Sequence, residues 1–260
     1  MDTDQSHAPP SDQQEEPRVG ALRGQAWLTV QTRQAQQLIR GRKATPENPA
    51  IIGLVGFADR LRLIWQAARH DDPYADWWLI KVHETLDQAR HTIAAEQAAV
   101  DERMAGMTAI EVTVAKSLRP YRVPLQFANP YAYQGAQLIG EYDTLVRTLL
   151  SGCHVGLLDR ESSQKITHLA ARKVRGTFAV PLGFRFLSID RQSLQQDSDK
   201  QAQARQLMGD LPLEVLNDEQ RAPLVPHKAP FPNDIARAVV PKSVEFASSF
   251  SPSKGENAND

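Results

Sequence analysis

Hydrophobic and polar residues alternate over residues 27–33, and this alternation predicts a short β-strand. Leu28 and Val30 would point to one face of the strand, because successive side chains in a strand point to opposite sides. The other face carries hydrogen-bonding side chains that could contact base edges: Thr29, Gln31 and Arg33. An ordinary half-buried strand has the same pattern, so the alternation alone leaves both interpretations open.

Apolar residues at helical spacing predict five helices after this strand. Their expected ranges are 34–42, 49–70, 73–104, 130–152 and 160–176. Four of the five have N-cap signals before them, and in three of these a proline follows at the first helical position. The expected N-caps are Asn48, Asp72, Asn129 and Asp159. The helix over 73–104 would be roughly 45 Å long, enough to cross a domain or to pair with another copy.

A period of two returns in residues 110–114 and 123–127, and we expect these segments to form a β-hairpin. Pro124 cannot donate a backbone hydrogen bond, which predicts an edge position for its strand. The expected fold class is therefore mainly α with small β elements (α+β), with long helices and a short hairpin.

Composition divides the chain into a core and two polar tails. Residues 1–21 are polar and proline-containing and are expected to be disordered, as is most of the proline-rich segment 191–260. The core, residues 22–190, would consist of a strand–helix–helix unit over 22–70 and a helical core or dimerisation part over 71–190. The net charge of −1 gives no sign of a nucleic-acid partner, although the middle of the chain is locally basic.

No catalytic motif is present: the chain has no P-loop, no H-E-x-x-H and no paired C-x-x-C. The G-x-x-G spacing of Gly53 and Gly56 is better explained by close helix packing. A single cysteine, Cys153, excludes an internal disulfide and fits a reducing cytoplasm. The first residues lack the basic and apolar regions of a signal peptide, so none is expected, and no apolar run approaches the ~18 residues of a membrane span. We therefore expect a cytoplasmic, non-enzymatic protein that uses no metal, cofactor or small-molecule substrate and does not bind a membrane.

Two basic groups are candidates for phosphate contacts, and a solvated helix face is the alternative for both. The first group is Arg40, Arg42 and Lys43, and the second is Lys165, Arg172, Lys173 and Arg175. Arginine and lysine that neutralise DNA phosphates supply sequence-independent affinity. Thr29, Gln31 and Arg33 would then contact bases if the strands of two copies paired antiparallel and the resulting ribbon entered the major groove, which is wide enough for a two-stranded ribbon.

Three segments of the chain resemble a known family: LIRGRKA, GLVGFADRLRLIWQAARHDDPYADWWLIKVHETL and GEYDTLVRTLLSGCHVGLLDRES. The family is carried by integrating conjugative elements of Gram-negative bacteria and is similar to the AcaB-like transcriptional regulators of large conjugative plasmids. The resemblance covers roughly residues 25–185. It implies an elaborated ribbon-helix-helix core, a homodimer, binding to double-stranded DNA and regulation of the element's genes.

Two residues depart from the ribbon-helix-helix pattern. Glu47 lies in the turn before the second helix, where such proteins usually place small hydroxyl residues that hold a phosphate. Trp27 is unusual on a base-contacting face.

The alternative function is an accessory or scaffold protein of the conjugation or element-maintenance machinery, which the helix over 73–104 and the polar tails would suit.

Overall fold

The computed structural model describes residues 24–106 and 112–228, which form eight α-helices and one two-stranded sheet. The strands are β1, Ala26–Val30, and β2, Tyr121–Leu125. The helices are α1, Arg33–Arg40; α2, Leu54–Arg69; α3, Pro73–Ala105; α4, Pro130–His154; α5, Arg160–Ala179; α6, Arg191–Gln196; α7, Ser198–Met208; and α8, Leu213–Leu216. A 3₁₀ turn, Val180–Gly183, follows α5. The mainly helical α+β class is confirmed, and the predicted tails over 1–21 and 229–260 lie outside the described residues.

The core forms where α3 packs against α2, α4 and α5. Phe57 of α2 and Phe178 of α5 are fully buried, and their rings stack with centroids 4.7 Å apart. Gly135 of α4 lies against this pair, where an added Cβ atom would come within 2.7 Å of the Phe57 ring. The aromatic pair therefore packs closely against α4 because position 135 has no side chain.

The predicted hairpin is wrong, because β2 pairs with β1 and not with residues 112–114. The two strands are antiparallel, with Leu28 opposite Val123 and Thr29 opposite Arg122. Ile110 and Glu111, the start of the proposed hairpin, lie outside the described residues. The period of two identified the segment around β2 as a strand, but a period carries no information about which strand it will meet. Pro124 does lie on an edge strand, as predicted.

The N-caps predicted before the three longest helices are confirmed. The side chains of Asp72, Asn129 and Asp159 each accept a backbone N–H at the start of α3, α4 and α5, respectively. These bonds satisfy donors that have no partner within the helix. The long helix predicted over 73–104 ends at Ala105, one residue beyond its expected end.

The second helix begins later than predicted, at Leu54 instead of residue 49, so Asn48 is not its N-cap. Residues 42–51 form a loop in which Arg42 and Ile51 pair through their backbones. Gly41, at φ 68°, and Gly53 meet at the base of this loop, where an added Cβ atom on Gly53 would lie 2.5 Å from the backbone nitrogen of Gly41. Gly53 is thus the N-cap of α2 and allows close backbone approach, a different role from the helix packing predicted for the G-x-x-G spacing.

Residues 191–228 differ from the predicted tail, because they contain α6, α7 and α8 and pack against the core. A few widely spaced apolar side chains in this segment are buried: Leu194, Ala204, Met208, Val215 and Ala222. Their low density in a polar, proline-rich sequence suggested disorder. Burial of these apolar groups, together with the ion pairs described next, opposes the entropic cost of ordering the segment.

An ionic cluster joins this segment to the start of α3. Asp76 is fully buried, and its carboxylate accepts from Arg191 at 2.7 Å and from the Nη2 of Arg221 at 3.0 Å. Arg191 also donates to the carbonyl of Val215 at 3.0 Å. The cluster thus links α3 to α6, to α8 and to the segment after α8, and removing one partner would leave a buried charge uncompensated.

Candidate nucleic-acid interface

The corner between β1 and α1 is held by one buried carboxylate, that of Asp143 on α4. Its Oδ1 accepts from the N–H and hydroxyl of Thr32 at 2.8 and 2.7 Å, and its Oδ2 accepts from the N–H of Gln31 at 2.8 Å. The hydroxyl oxygen of Thr32 in turn accepts from the N–H of Ala35, which makes Thr32 the N-cap of α1. Three donors on one carboxylate fix the direction in which α1 leaves the strand.

The sheet has one buried and one exposed face, as the alternation in β1 predicted. Leu28, Val30 and Val123 are buried against the core. Thr29 and Arg122, which lie opposite each other, are exposed on the outer face. Two antiparallel strands from one chain therefore form a ribbon whose exposed outer face carries both polar and apolar side chains.

Trp27 lies on this outer face and is 45% exposed. The guanidinium of Arg122 lies over its indole ring, 4.2 Å from the ring centroid. Stacking of this kind orients the guanidinium plane and leaves the N–H groups at its edge available to acceptors. Trp27, which departs from the ribbon-helix-helix pattern, thus positions a basic side chain on the outer face of the ribbon.

The three base-contact candidates from the sequence have different environments. Thr29 is exposed on the ribbon. The side-chain oxygen of Gln31 accepts from the N–H of Ser117 at 2.9 Å, so it is used within the subunit. Arg33 is exposed, but as the first residue of α1 it lies beyond the end of the strand.

The first basic group lies at the end of α1 and in the loop after it. Arg40 is exposed and its guanidinium lies over the ring of Tyr121 in β2, 5.1 Å from the centroid. Arg42 donates to the carbonyl of Pro49 at 3.1 Å, within the loop. Lys43 and Glu47 are both exposed in this loop. The loop therefore presents both signs of charge, whereas Arg40 is on the side of α1 that faces the ribbon.

The second basic group is spread around α5. Lys165 pairs with Glu161 at 2.7 Å on the solvent side, and Arg172 and Lys173 are exposed. Arg175 is partly buried and lines an open groove of about 1180 Å³ between α1, α4 and α5. Of the first group, Arg42 lies at this same groove. The seven phosphate-contact candidates therefore occupy several surfaces, and only these two meet in the groove.

The residues that complete the ribbon and the groove carry little signal in the sequence. Tyr121 and Arg122 were in the segment between the two supposed hairpin strands, so the pairing of Arg122 with Thr29 on the outer face, and of Tyr121 with Val30 on the opposite face, was not recognised. Asp143 lies between apolar positions of α4, and Arg160 is the first residue of α5. The one available signal was the period of two around Val123, which already placed Arg122 on the face opposite to that residue.

Other kinds of site find no support in the described part of the chain. Residues 24–106 and 112–228 contain no group of three or more histidine, cysteine or carboxylate side chains placed to hold a metal ion. No helix in these ranges combines the length and the apolar character needed to cross a bilayer.

Comparison with known proteins points to gene regulation. A family model described as "Transcriptional regulator AcaB" matches residues 18–228. The fold is similar to the crystal structure of selenomethionine-containing AcaB from uropathogenic E. coli, with a TM-score of 0.52 and 14% sequence identity. That similarity covers 76% of this chain and 97% of the AcaB chain. At this identity the structural likeness shows the fold alone. No curated protein matches the chain.

Proposed function

The chain belongs to the AcaB family of transcriptional regulators, and from this premise we propose that it regulates genes of an integrating conjugative element by binding double-stranded DNA. The observation that carries the proposal is the outer face of the β1–β2 ribbon, where Thr29 and Arg122 are exposed side by side. A two-stranded ribbon fits the major groove, which is about 12 Å wide.

Arg122 is the residue that would contact guanine, because its guanidinium is held by the Trp27 ring with its edge free for a bidentate bond. Thr29 beside it offers a hydroxyl and a methyl group, which suit base edges and the thymine methyl group. Gln31 supports the ribbon through Ser117 and does not contact bases in this arrangement. Arg33 and Arg40 on α1, with Lys43 in the loop after it, would neutralise DNA phosphates beside the major groove.

The ribbon differs from that of a simple ribbon-helix-helix dimer because both strands come from one chain. A homodimer would then present two such ribbons. Two copies bound to one duplex would contact half-sites separated by about one helical turn or a multiple of it.

The proposal is tested by fluorescence anisotropy with duplexes from the element's own promoters and with a scrambled duplex. We expect Arg122→Gln to lower the preference for the promoter by about 1–3 kcal/mol. Arg40→Gln should instead weaken binding to both duplexes and reduce the slope of affinity against salt by about one. Arg69→Gln, an exposed arginine at the end of α2, serves as the control and should leave both quantities unchanged.

Binding that is absent at low salt, or that does not weaken as salt rises, would contradict the proposal. If Arg122→Gln binds with unchanged preference, the ribbon is an ordinary edge of the fold and not the base-contacting surface.

A further inference from the structure

The groove between α1, α4 and α5 is a second surface whose chemistry differs from that of the ribbon. Its volume of about 1180 Å³ exceeds the roughly 300–1000 Å³ of typical small-molecule sites. We propose that this groove binds an acidic amphipathic helix of a protein partner. The inference does not depend on DNA binding by the ribbon.

The charge of the groove selects an acidic partner. Arg42, Arg160 and Arg175 line it together with two histidines, His154 and His168, and none of the described residues in its lining is an aspartate or a glutamate. Arg160 is exposed at the first position of α5. Carboxylates on an incoming helix could therefore pair with guanidinium groups along the groove without meeting a like charge in its lining.

The apolar part of the groove selects a peptide over nucleic acid. Leu150 of α4 is 52% exposed here, and Leu149 and Ile51 line the same groove. A sugar–phosphate backbone has no aliphatic side chains to cover Leu150. Leucines spaced at i, i+3, i+4 and i+7 on a helix would cover it, as in other helix-in-groove complexes.

The groove shares no described lining residue with the outer face of the ribbon, and it lies on a different side of α1 from β2. Gln34, Gln37 and Gly41 line the groove, whereas Arg40 is turned toward Tyr121 on β2. A regulator with this arrangement could hold DNA with the ribbon while the groove holds a protein, which is what recruitment of a partner to a promoter requires.

The test measures binding of a fluorescein-labelled synthetic peptide to the full chain. The peptide has leucines at i, i+3, i+4 and i+7 spacing and glutamates elsewhere, and a second peptide has the same composition in scrambled order. We expect the amphipathic peptide to bind at least about tenfold more tightly than the scrambled one. Leu150→Ser and Arg160→Gln should each weaken its binding by about tenfold.

Matched controls come from positions outside the groove. Leu182→Ser, at a leucine 40% exposed after α5, and Arg172→Gln, at an exposed arginine on α5 itself, should bind the peptide as the unaltered chain does. Cys153 lines the groove and is the only cysteine in the chain, so its rate of modification by iodoacetamide reports occupancy. The peptide should slow this reaction, and duplex DNA should not.

Equal binding of the two peptides, or unchanged binding after both Leu150→Ser and Arg160→Gln, would overturn the proposal. Protection of Cys153 by duplex DNA and not by the peptide would assign the groove to nucleic acid. If the ribbon does not contact bases, Arg122→Gln will keep its preference for the promoter duplex. That result is independent of peptide binding, so failure of one proposal can be distinguished from failure of the other.

Discussion

At the scale of single residues, Asp143 holds the corner beside the proposed DNA-binding surface without being part of that surface. Asp143→Ala would leave the backbone N–H groups of Gln31 and Thr32 and the Thr32 hydroxyl without their acceptor. We expect the free energy of unfolding in urea to fall by roughly 2–4 kcal/mol, since buried donors would lose their partner. Thr144→Ala, one residue away and exposed, should change it by less than about 0.5 kcal/mol. Similar values for the two variants would contradict the role given to Asp143.

Residue patterns in the sequence identified some of these positions and not others. Leu28, Val30 and Thr29 were assigned to the correct faces because alternation follows directly from strand geometry. Asp143 could not be found in this way, because a buried carboxylate on a helix has no periodic signal. Its role depends on a contact between residues more than a hundred positions apart.

At the scale of elements, the connection between α1 and α2 depends on two glycine backbones in contact. Gly41→Ala would place a Cβ atom 2.4 Å from the carbonyl oxygen of Ile51 and 2.6 Å from the nitrogen of Gly53. We expect a fall in the free energy of unfolding beyond the roughly 1–2 kcal/mol that a positive φ alone costs an L-residue. Gly156→Ala is the matched control, because Gly156 also has positive φ, 75°, with nothing within 4 Å of the added atom. If calorimetry gave the same loss of unfolding free energy for Gly41→Ala and Gly156→Ala, the close contact at Gly41 would have no effect on stability.

The elements were predictable where local signals define them, as in α3, α4 and α5 with their side-chain N-caps. The start of α2 was predicted five residues too early because Asn48-Pro49 matches a cap signal in sequence. Pairing of Arg42 with Ile51 and close packing of Gly41 against Gly53 keep this segment in a loop instead. Tertiary contacts of this kind override a local cap preference, and the partner of β2 was missed for the same reason.

At the scale of the whole molecule, the buried carboxylate of Asp72, beside the ionic cluster at the start of α3, couples stability to pH. Asp72 is almost fully buried, and one of its carboxylate oxygens has no hydrogen-bond partner among the described residues. Burial raises the pKa of Asp72 from 3.8 to about 7, against the lowering effect of its hydrogen bonds to the N–H groups of Ala75 and Tyr74, and Asp76 nearby raises it further. The folded chain therefore binds this proton more tightly than the unfolded chain does.

Because the folded pKa of Asp72 lies above the unfolded value, its contribution to stability is fully present below pH 4 and declines as the pH rises to about 7. The slope from this group is at most about 1.4 kcal/mol per pH unit. Asp72→Asn keeps the oxygen that caps α3 but cannot ionise, so we expect it to remove this slope. The variant should be more stable than the unaltered chain at pH 8 in urea titrations and closer to it at pH 5.

Asp197→Asn makes the same change at the exposed cap of α7 and should keep the slope, since Asp197 is 41% exposed at its side chain. An unaltered slope in Asp72→Asn would mean that other carboxylates in the cluster carry the pH dependence.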